Sequence, residues 1–136
     1  MYYIVLYFVA ISIFTEVSMK NMVILFSFLS FLISTIIVFI LKFTIKRKRK
    51  SVGNDVFLRE LDPYSFPSGH VTRITAVLAP LYGMYLIIYS VLFIAIIVSV
   101  ARIVKGFHYP SDCIAGIIIG FFSSYISYIF IQLIPF

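Results

Sequence analysis

The sequence predicts an all-α integral membrane bundle of about five transmembrane helices, with an active site at one membrane face. Hydrophobic residues make up 62% of the 136 residues, and the mean hydropathy is +1.12. Soluble domains average about 45–50% apolar residues, so the surplus must face lipid. The apolar residues also occur in long blocks, which are typical of transmembrane helices. We expect one membrane-embedded domain over residues 1–136.

The predicted spans follow the apolar blocks along the chain. They cover about 1–18, 22–45, 69–82, 84–104 and 111–133. The first lacks the basic region and the small-residue cleavage site of a signal peptide, so we interpret it as a retained span. Pro80 and Gly83 end the short third block, and Pro110 suits the first turn of the last helix. Gly116 and Gly120 form a G-x-x-x-G at which another helix can pack closely.

The charged and cysteine residues exclude several classes of protein. The formal net charge is +6, and Lys46 to Lys50 are five consecutive basic residues. Apart from Arg49, we interpret this run as a contact with anionic lipid headgroups or as a determinant of membrane topology. It lies directly against a span, which excludes nucleic acid as a partner. The single cysteine, Cys113, excludes a disulfide within the chain and a cysteine-based metal cluster.

Polar residues concentrate at one predicted membrane face. With five spans, the catalytic loop over 46–67 and the connector over 105–111 lie on the same side. The opposite side carries Lys20, Asn21 and little else. Ionisable groups are costly in lipid and indicate function. Three clusters meet on the polar face: Lys42 with Arg49, Pro67 to His70, and Arg102 with His108 and Asp112.

The cations of these clusters predict an anion site. Lys42, Arg49 and Arg102 have no equal number of acids beside them in the sequence. Arginine presents a planar fork that fits phosphate oxygens, and lysine adds a point charge. Ser68 and Gly69 precede a helix, so their backbone N–H groups can point at the same anion. Glycine also permits a close approach of the backbone to the ligand.

The two histidines predict phosphoryl transfer through an enzyme intermediate. One imidazole attacks phosphorus, and the other protonates the leaving oxygen and then activates water. Asp112 follows His108 by four residues and can hold its ring in one tautomer. We therefore predict that His108 is the nucleophile and His70 the general acid and base. No metal or other cofactor is required, because the cations neutralise the developing charge.

This arrangement resembles the type-2 phosphatidic acid phosphatase superfamily, which includes vanadium haloperoxidases and glucose-6-phosphatase. The family pattern has three parts, K-x6-R-P, P-S-G-H and S-R-x5-H-x3-D. Pro67 to His70 match the second part fully. The spacing of Arg102, His108 and Asp112 matches the third, with Ala101 in place of the serine.

The first part of the pattern matches less fully. Lys42 and Arg49 have the right spacing, but Lys50 stands where the family has proline. The resemblance covers about residues 42–112. Family members often have six spans, and with five predicted here we expect that the first of the six is missing from this sequence. The resemblance implies phosphate binding by Lys42, Arg49, Ser68, Gly69 and Arg102, acid catalysis by His70, and nucleophilic attack by His108 with Asp112 as its partner.

Other polar residues carry weaker predictions. Arg73, one turn after His70, is assigned either a substrate contact or a structural ion pair. Lys105, Asp62 and Tyr109 are assigned either a place at the pocket entrance or ordinary loop chemistry, and the second is favoured. Ser99, Ser123, Ser124 and Ser127 are predicted to pack between helices, and Cys113 to be a small core residue.

The predicted substrate is a phosphorylated membrane lipid. Phosphatidic acid, phosphatidylglycerophosphate, polyprenyl diphosphate and lipid A phosphate all remain open, and the short loops favour a simple phospholipid or a prenyl diphosphate. All Lys and Arg except Lys20 and Arg73 lie near the catalytic face, which the positive-inside rule places in the cytoplasm. Bacterial relatives face outward and phosphate itself requires cations, so we expect the outer face of the inner cell membrane. The oligomeric state stays open.

Two alternatives belong to other classes of protein. A non-catalytic lipid-binding scaffold with the same fold would not need His70, His108 and Asp112. A small anion channel would carry polar residues through the bundle, whereas the charges here stop at one end. A haloperoxidase shares the anion site, but those proteins are soluble.

Overall fold

The computed structural model describes residues 17–50, 62–79 and 85–133. These ranges hold four helices and no strand: α1 (Val17–Ile45), α2 (Gly69–Leu78), α3 (Tyr85–Val104) and α4 (Pro110–Gln132). The prediction of an all-α chain is confirmed for this part of the sequence.

The helix boundaries correct some of the predicted spans. α1 begins at Val17 and runs unbroken to Ile45, so the break predicted between 18 and 22 is wrong. α2 ends at Leu78, and α4 begins at Pro110 as its proline indicated. Most of the predicted first span (1–16), the predicted turn at 56–61 and the chain between α2 and α3 (80–84) lie outside the described residues. The count of five spans therefore stays a prediction.

Two of the described helices are long and apolar enough to cross a membrane. They are Met22–Ile45, 24 residues with a mean hydropathy of 2.8, and Pro110–Gln132, 23 residues with a mean hydropathy of 2.0. At 1.5 Å per residue each spans about 35 Å, more than the roughly 30 Å of a bilayer core. α2 has 10 residues and rises about 15 Å, half of that thickness.

The side chains of α4 are distributed as in a helix that faces lipid. Its buried positions are mostly small or polar: Asp112, Cys113, Gly116, Gly120, Ser123, Ser124, Ser127 and Ile131. Its large apolar side chains point outward, with Ile118 63% and Phe122 56% exposed. A water-soluble helix has the opposite arrangement. Close packing through small residues with apolar side chains outward is the pattern of membrane bundles.

Gly116 and Gly120 let α2 pack directly against α4. A Cβ at Gly120 would lie 2.6 Å from the Thr75 Cβ and 2.8 Å from the Thr72 carbonyl oxygen. A Cβ at Gly116 would lie 3.1 Å from the Thr72 Oγ1. We call this contact the α2–α4 seam. It confirms that the G-x-x-x-G of the last helix is a packing site for a neighbouring helix.

The basic run leaves the end of α1 as an extended segment. Lys46 has a positive φ of 52°, the left-handed conformation that often ends a helix, and its amide donates to the Lys42 carbonyl over 3.0 Å. Lys48 then pairs with Tyr64 in an isolated antiparallel bridge. Side chains alternate along an extended chain, so Arg47 and Arg49 are partly buried while the lysines at 46, 48 and 50 are exposed.

A second turn brings the start of α4 to the same end of the bundle. Gly106 adopts a positive φ of 72°, which glycine permits without strain, and its amide donates to the Ile103 carbonyl over 2.9 Å. The Ser68 amide donates to the Asp112 carbonyl over 3.0 Å, which joins the starts of α2 and α4. We call the resulting cluster the charged end: Lys42, Arg47, Arg49, Asp62, His70, Arg102, His108 and Asp112.

Candidate active site

Arg49 is the centre of the charged end. Its side chain is 1% exposed, and its guanidinium joins three segments that are distant in the sequence. Nε donates to the Asp62 carbonyl over 3.0 Å, and Nη1 donates to the Phe107 carbonyl over 3.1 Å. Nη1 also lies 3.2 Å from the His108 Nε2. The loop over 46–67 and the connector over 105–111 therefore meet at one side of the bundle, as predicted.

Lys42 reaches the same place from the last turn of α1. Its Nζ forms an ion pair with the Asp62 Oδ1 and donates to the Tyr64 carbonyl over 3.2 Å. The other oxygen of the same carboxylate, Asp62 Oδ2, lies 2.7 Å from the Arg49 Nη2. The sequence placed Lys42 and Arg49 together by their spacing, and the structure joins them through a shared acid.

The contact with Arg49 determines the tautomer of His108. An arginine side chain only donates hydrogen bonds, so the His108 Nε2 beside it must accept and carries a lone pair. The proton of the neutral ring then sits on Nδ1. That atom lies 3.6 Å from the Asp112 Oδ2, close enough for charge stabilisation but longer than a hydrogen bond. The ring therefore presents an unprotonated Nε2 to the cations, with a carboxylate behind it.

Asp112 is fully buried and fixed at both oxygens. Oδ1 forms an ion pair of 2.8 Å with the Arg47 Nη1, and Oδ2 accepts from the Tyr109 amide over 2.9 Å. Arg47 also donates to the Ser111 Oγ over 2.7 Å. Its guanidinium lies 4.0 Å from the centroid of the Tyr109 ring. These contacts fix both oxygens of the carboxylate beside the His108 ring.

Burial keeps His108 neutral. The residue is 2% exposed, and burial lowers the pKa of its imidazole to about 3, with the charges of Arg49, Arg102 and Lys42 adding to the effect. Desolvation and nearby cations both disfavour the protonated ring. Nε2 is therefore unprotonated at neutral pH, as a nucleophile requires.

His70 and Arg102 belong to the same electrostatic environment. His70 is exposed in the first turn of α2, and its pKa is lowered by partial desolvation and by the charges of Arg102 and Arg73. Arg102, near the end of α3, lies with its guanidinium 4.9 Å from the centroid of the Phe107 ring. Its charge also lowers the pKa of His108, so it faces both histidines.

The backbone N–H groups of Ser68 and Gly69 were both expected to point at the anion, and the structure differs from this expectation at Ser68. The Ser68 amide is already hydrogen-bonded to the Asp112 carbonyl, so it joins α2 to α4 and is not free for a phosphate. Gly69 is buried, and a Cβ there would lie 3.5 Å from the Arg73 Nη1. Arg73 itself donates to the Thr35 Oγ1 over 3.3 Å.

Among the described residues, the cations outnumber the acids that pair with them. Asp62 pairs with Lys42 and Arg49, and Asp112 pairs with Arg47, which the sequence analysis did not include among the phosphate-binding cations. Sequence reasoning favoured ordinary loop chemistry for Asp62 over a place at the pocket entrance, and it favoured a role in lipid contact or topology for Arg47. The ion pairs of both residues contradict the favoured interpretations. Four cations, Lys42, Arg47, Arg49 and Arg102, still face two carboxylates. The cluster retains a positive charge, which suits an incoming anion.

The buried hydroxyl groups farther along the bundle are structural. The hydroxyl groups of Ser30, Ser123 and Ser127 each donate to the carbonyl four residues earlier in their own helix. Ser99 does the same over 2.6 Å. These contacts agree with their predicted role in helix packing. Within the described ranges, no three His, Cys, Asp or Glu side chains come together as a metal site.

The chain belongs to the PAP2 superfamily, because the model of that family matches residues 23–135. The match covers α1 from residue 23 onward and the whole of α2, α3 and α4, and it confirms the resemblance to the type-2 phosphatidic acid phosphatases. Two curated relatives are both named lipid A 1-phosphatase. The protein from Rhizobium etli is 37% identical over 90 residues, which cover 60% of this chain and 38% of the relative.

The second relative, from Rhizobium johnstonii, is 34% identical over 102 residues, which cover 68% of this chain and 41% of the relative. The chain thus spans about two fifths of the length of the curated relatives it matches. No solved structure matches the chain.

Proposed function

We propose that this chain is a membrane enzyme that removes phosphate from a lipid through a phosphohistidine on His108. One observation carries the proposal. The neutral Nε2 of His108 lies 3.2 Å from the Arg49 guanidinium, while the buried Asp112 stands behind Nδ1. A nucleophile, its orienting carboxylate and a phosphate-binding cation are thereby in one contact chain.

The reaction follows from these positions. A phosphoryl group enters between Lys42, Arg49 and Arg102, and Nε2 attacks phosphorus as the bond to the lipid oxygen breaks. His70 protonates the leaving oxygen and then takes a proton from the water that hydrolyses the phosphohistidine. Partial desolvation, together with the charges of Arg102 and Arg73, lowers the pKa of His70 in the free protein. A bound phosphate offsets these charges, so the ring gains its proton together with the substrate.

The proposed mechanism uses no metal ion. The transferred phosphoryl group develops charge on its oxygens, and fixed arginine and lysine donors stabilise that charge. Activity in the presence of a chelator, with inhibition by orthovanadate, is the expected behaviour. A strict requirement for a divalent cation would contradict this part of the proposal.

The substrate class is a phosphomonoester or a diphosphate of a membrane lipid. α1 and α4 offer lipid-facing surfaces beside the charged end, so a lipid headgroup can reach it by lateral diffusion. Lipid A 1-phosphate enters the list of candidates first because two relatives carry that name. Phosphatidic acid, phosphatidylglycerophosphate and polyprenyl diphosphate remain alternatives.

Phosphate release from a lipid panel tests the proposal. Wild-type protein in detergent should release orthophosphate from at least one of the four lipid classes, and His108→Ala should release none. Lys48→Ala is a matched control, because Lys48 is an exposed cation between Arg47 and Arg49. Equal release by wild type and His108→Ala would contradict the proposal, as would a panel without any substrate.

We further propose that the enzyme lies in the inner cell membrane with the charged end outward. A reporter fused to the C-terminus, active on one side of the membrane only, tests this orientation. Signal from the cytoplasmic side would place the C-terminal end of α4 in the cytoplasm. The charged end, at the other end of the same helix, would then lie outside.

A further inference from the structure

We propose that the Asp62 carboxylate occupies the phosphate site in the free enzyme and is displaced when a phosphoryl group binds. This inference rests on the proposed function and names the group that competes with substrate and product. The carboxylate bridges Lys42 through Oδ1 and Arg49 through Oδ2. A carboxylate and a phosphoryl group present two oxygens to such donors in the same way.

Accessibility distinguishes Asp62 from its partners. Its side chain is 27% exposed, whereas those of Lys42 and Arg49 are 10% and 1% exposed. Asp112, the other described carboxylate, is fully buried. An incoming anion from the membrane surface therefore meets Asp62 before it meets Lys42 and Arg49, and Asp62 is the most exposed of these three side chains.

The cations keep their positions when the carboxylate leaves. Arg49 is held by two backbone carbonyls, those of Asp62 and Phe107. Lys42 retains the Tyr64 carbonyl. These bonds do not involve the Asp62 side chain, so loss of its charge leaves the two donors in place. Asp62→Asn therefore removes the competing negative charge and leaves the phosphate-binding donors Lys42 and Arg49 in place.

Position also links Asp62 to the reacting atoms. The guanidinium of Arg49 contacts Asp62 through Nη2 and His108 through Nη1. A phosphoryl group that takes the place of the carboxylate is then bound at Nη2 of Arg49, and the nucleophile lies beside the neighbouring Nη1. The carboxylate returns after hydrolysis and helps to expel orthophosphate, because two anions at one site repel each other.

This role predicts tighter binding when the charge of Asp62 is removed. We expect Asp62→Asn to bind orthovanadate and orthophosphate about tenfold more tightly than wild type, with lower KM and lower kcat because product leaves slowly. Asp62→Glu keeps the charge and should bind both anions like wild type. Thr44→Lys is the matched control, because it adds one positive charge at an exposed position beside the site.

Direct calorimetric titration of purified protein with orthovanadate separates the possible outcomes. Tighter binding by Asp62→Asn, with Thr44→Lys unchanged, supports the proposal. Unchanged or weaker binding by Asp62→Asn overturns it and leaves the proposed function standing. Failure of the wild type to bind either anion overturns both, so the two proposals fail in different ways.

A measurement on wild-type protein covers the case in which Asp62→Asn does not fold. A water-soluble carbodiimide with an amine nucleophile labels accessible carboxylates, and peptide mass spectrometry locates the label. Orthovanadate should increase the labelling of Asp62, because the carboxylate loses its cations. Decreased or unchanged labelling at saturating orthovanadate contradicts displacement.

Discussion

The charged end and the α2–α4 seam hold their polar groups in opposite ways. At the charged end, Arg47, Arg49 and Lys42 bond to acids and carbonyls that lie distant in the sequence. At the seam, the Thr72 hydroxyl donates to the Ser68 carbonyl of its own helix over 2.9 Å. Glycine then brings the two backbones together.

The seam determines how the helices are positioned, and the charged end supplies the side chains for the reaction. The seam fixes where α2 and α4 begin, through the bond from the Ser68 amide to the Asp112 carbonyl. The charged end uses those positions but adds side chains that an anion can contact. Substitutions at the charged end should therefore change activity with little effect on folding, and substitutions at the seam should do the reverse.

Asp112→Asn should give the largest effect on activity. The neutral amide cannot stabilise the positive charge that develops on the His108 ring during attack, so we expect kcat to fall by about 10³–10⁴-fold. The measurement is phosphate release from the best lipid of the panel. Thermal unfolding in detergent is the control. A parallel loss of stability and activity would contradict the distinction between the charged end and the seam.

Arg47→Gln should have an intermediate effect. Arg47 pairs with Asp112 and contacts the Tyr109 ring but does not touch the His108 ring, so its loss should lower kcat by about 10–100-fold and leave KM nearly unchanged. Lys48→Ala, an adjacent cation with an exposed side chain, should retain activity. An increase in KM with unchanged kcat would show that Arg47 binds substrate and does not position Asp112.

Gly120→Ala tests the seam. Its new Cβ meets Thr75 at 2.6 Å, so the helices must separate, and overpacking of this kind costs about 1–3 kcal/mol. Gly116→Ala should cost less, because its nearest contact is at 3.1 Å. Thermal unfolding in detergent measures both. An equal or larger loss at Gly116 would contradict this account of the seam.

The pH dependence of stability should show the smallest effect. His108 has an ordinary pKa of 6.5 and a folded-state pKa of about 3, so the unfolded chain binds one more proton between these values. Stability from the neutral ring is complete above pH 6.5 and is lost as the pH falls, by at most about 1.4 kcal/mol per pH unit. Unfolding midpoints from pH 7 to pH 5 should fall less steeply in His108→Asn than in wild type, and identical slopes would contradict burial of a neutral ring.

The sequence predicted those parts of the site whose spacing reflects regular structure. Asp112 lies one helical turn beyond His108, and Gly116 and Gly120 share a face of α4, so spacing alone was sufficient. The contact of Arg47 with Asp112 was not predicted, because the run of basic residues begins directly after α1 ends at Ile45. Once Lys46 takes a positive φ, alternate residues turn inward, and five consecutive cations give no pattern that distinguishes them.

Long-range pairing explains the remaining errors. Asp62 stands in a polar loop where its spacing to Lys42 and Arg49 carries no helical period, so its bridging role could not be predicted. The expected break before residue 22 was placed at Lys20 and Asn21, but two polar residues do not interrupt a helix whose neighbours are apolar. Polar residues can mark a membrane boundary without ending the helix.

Detection of a phosphohistidine tests the central claim most directly. Wild-type protein would be mixed with a lipid substrate that carries a radiolabelled phosphate, quenched in alkali within one turnover, and digested for mass spectrometry. We predict an acid-labile, alkali-stable label on His108 that is absent from His108→Ala. Turnover without any labelled intermediate, or a label on His70, would contradict nucleophilic attack by His108.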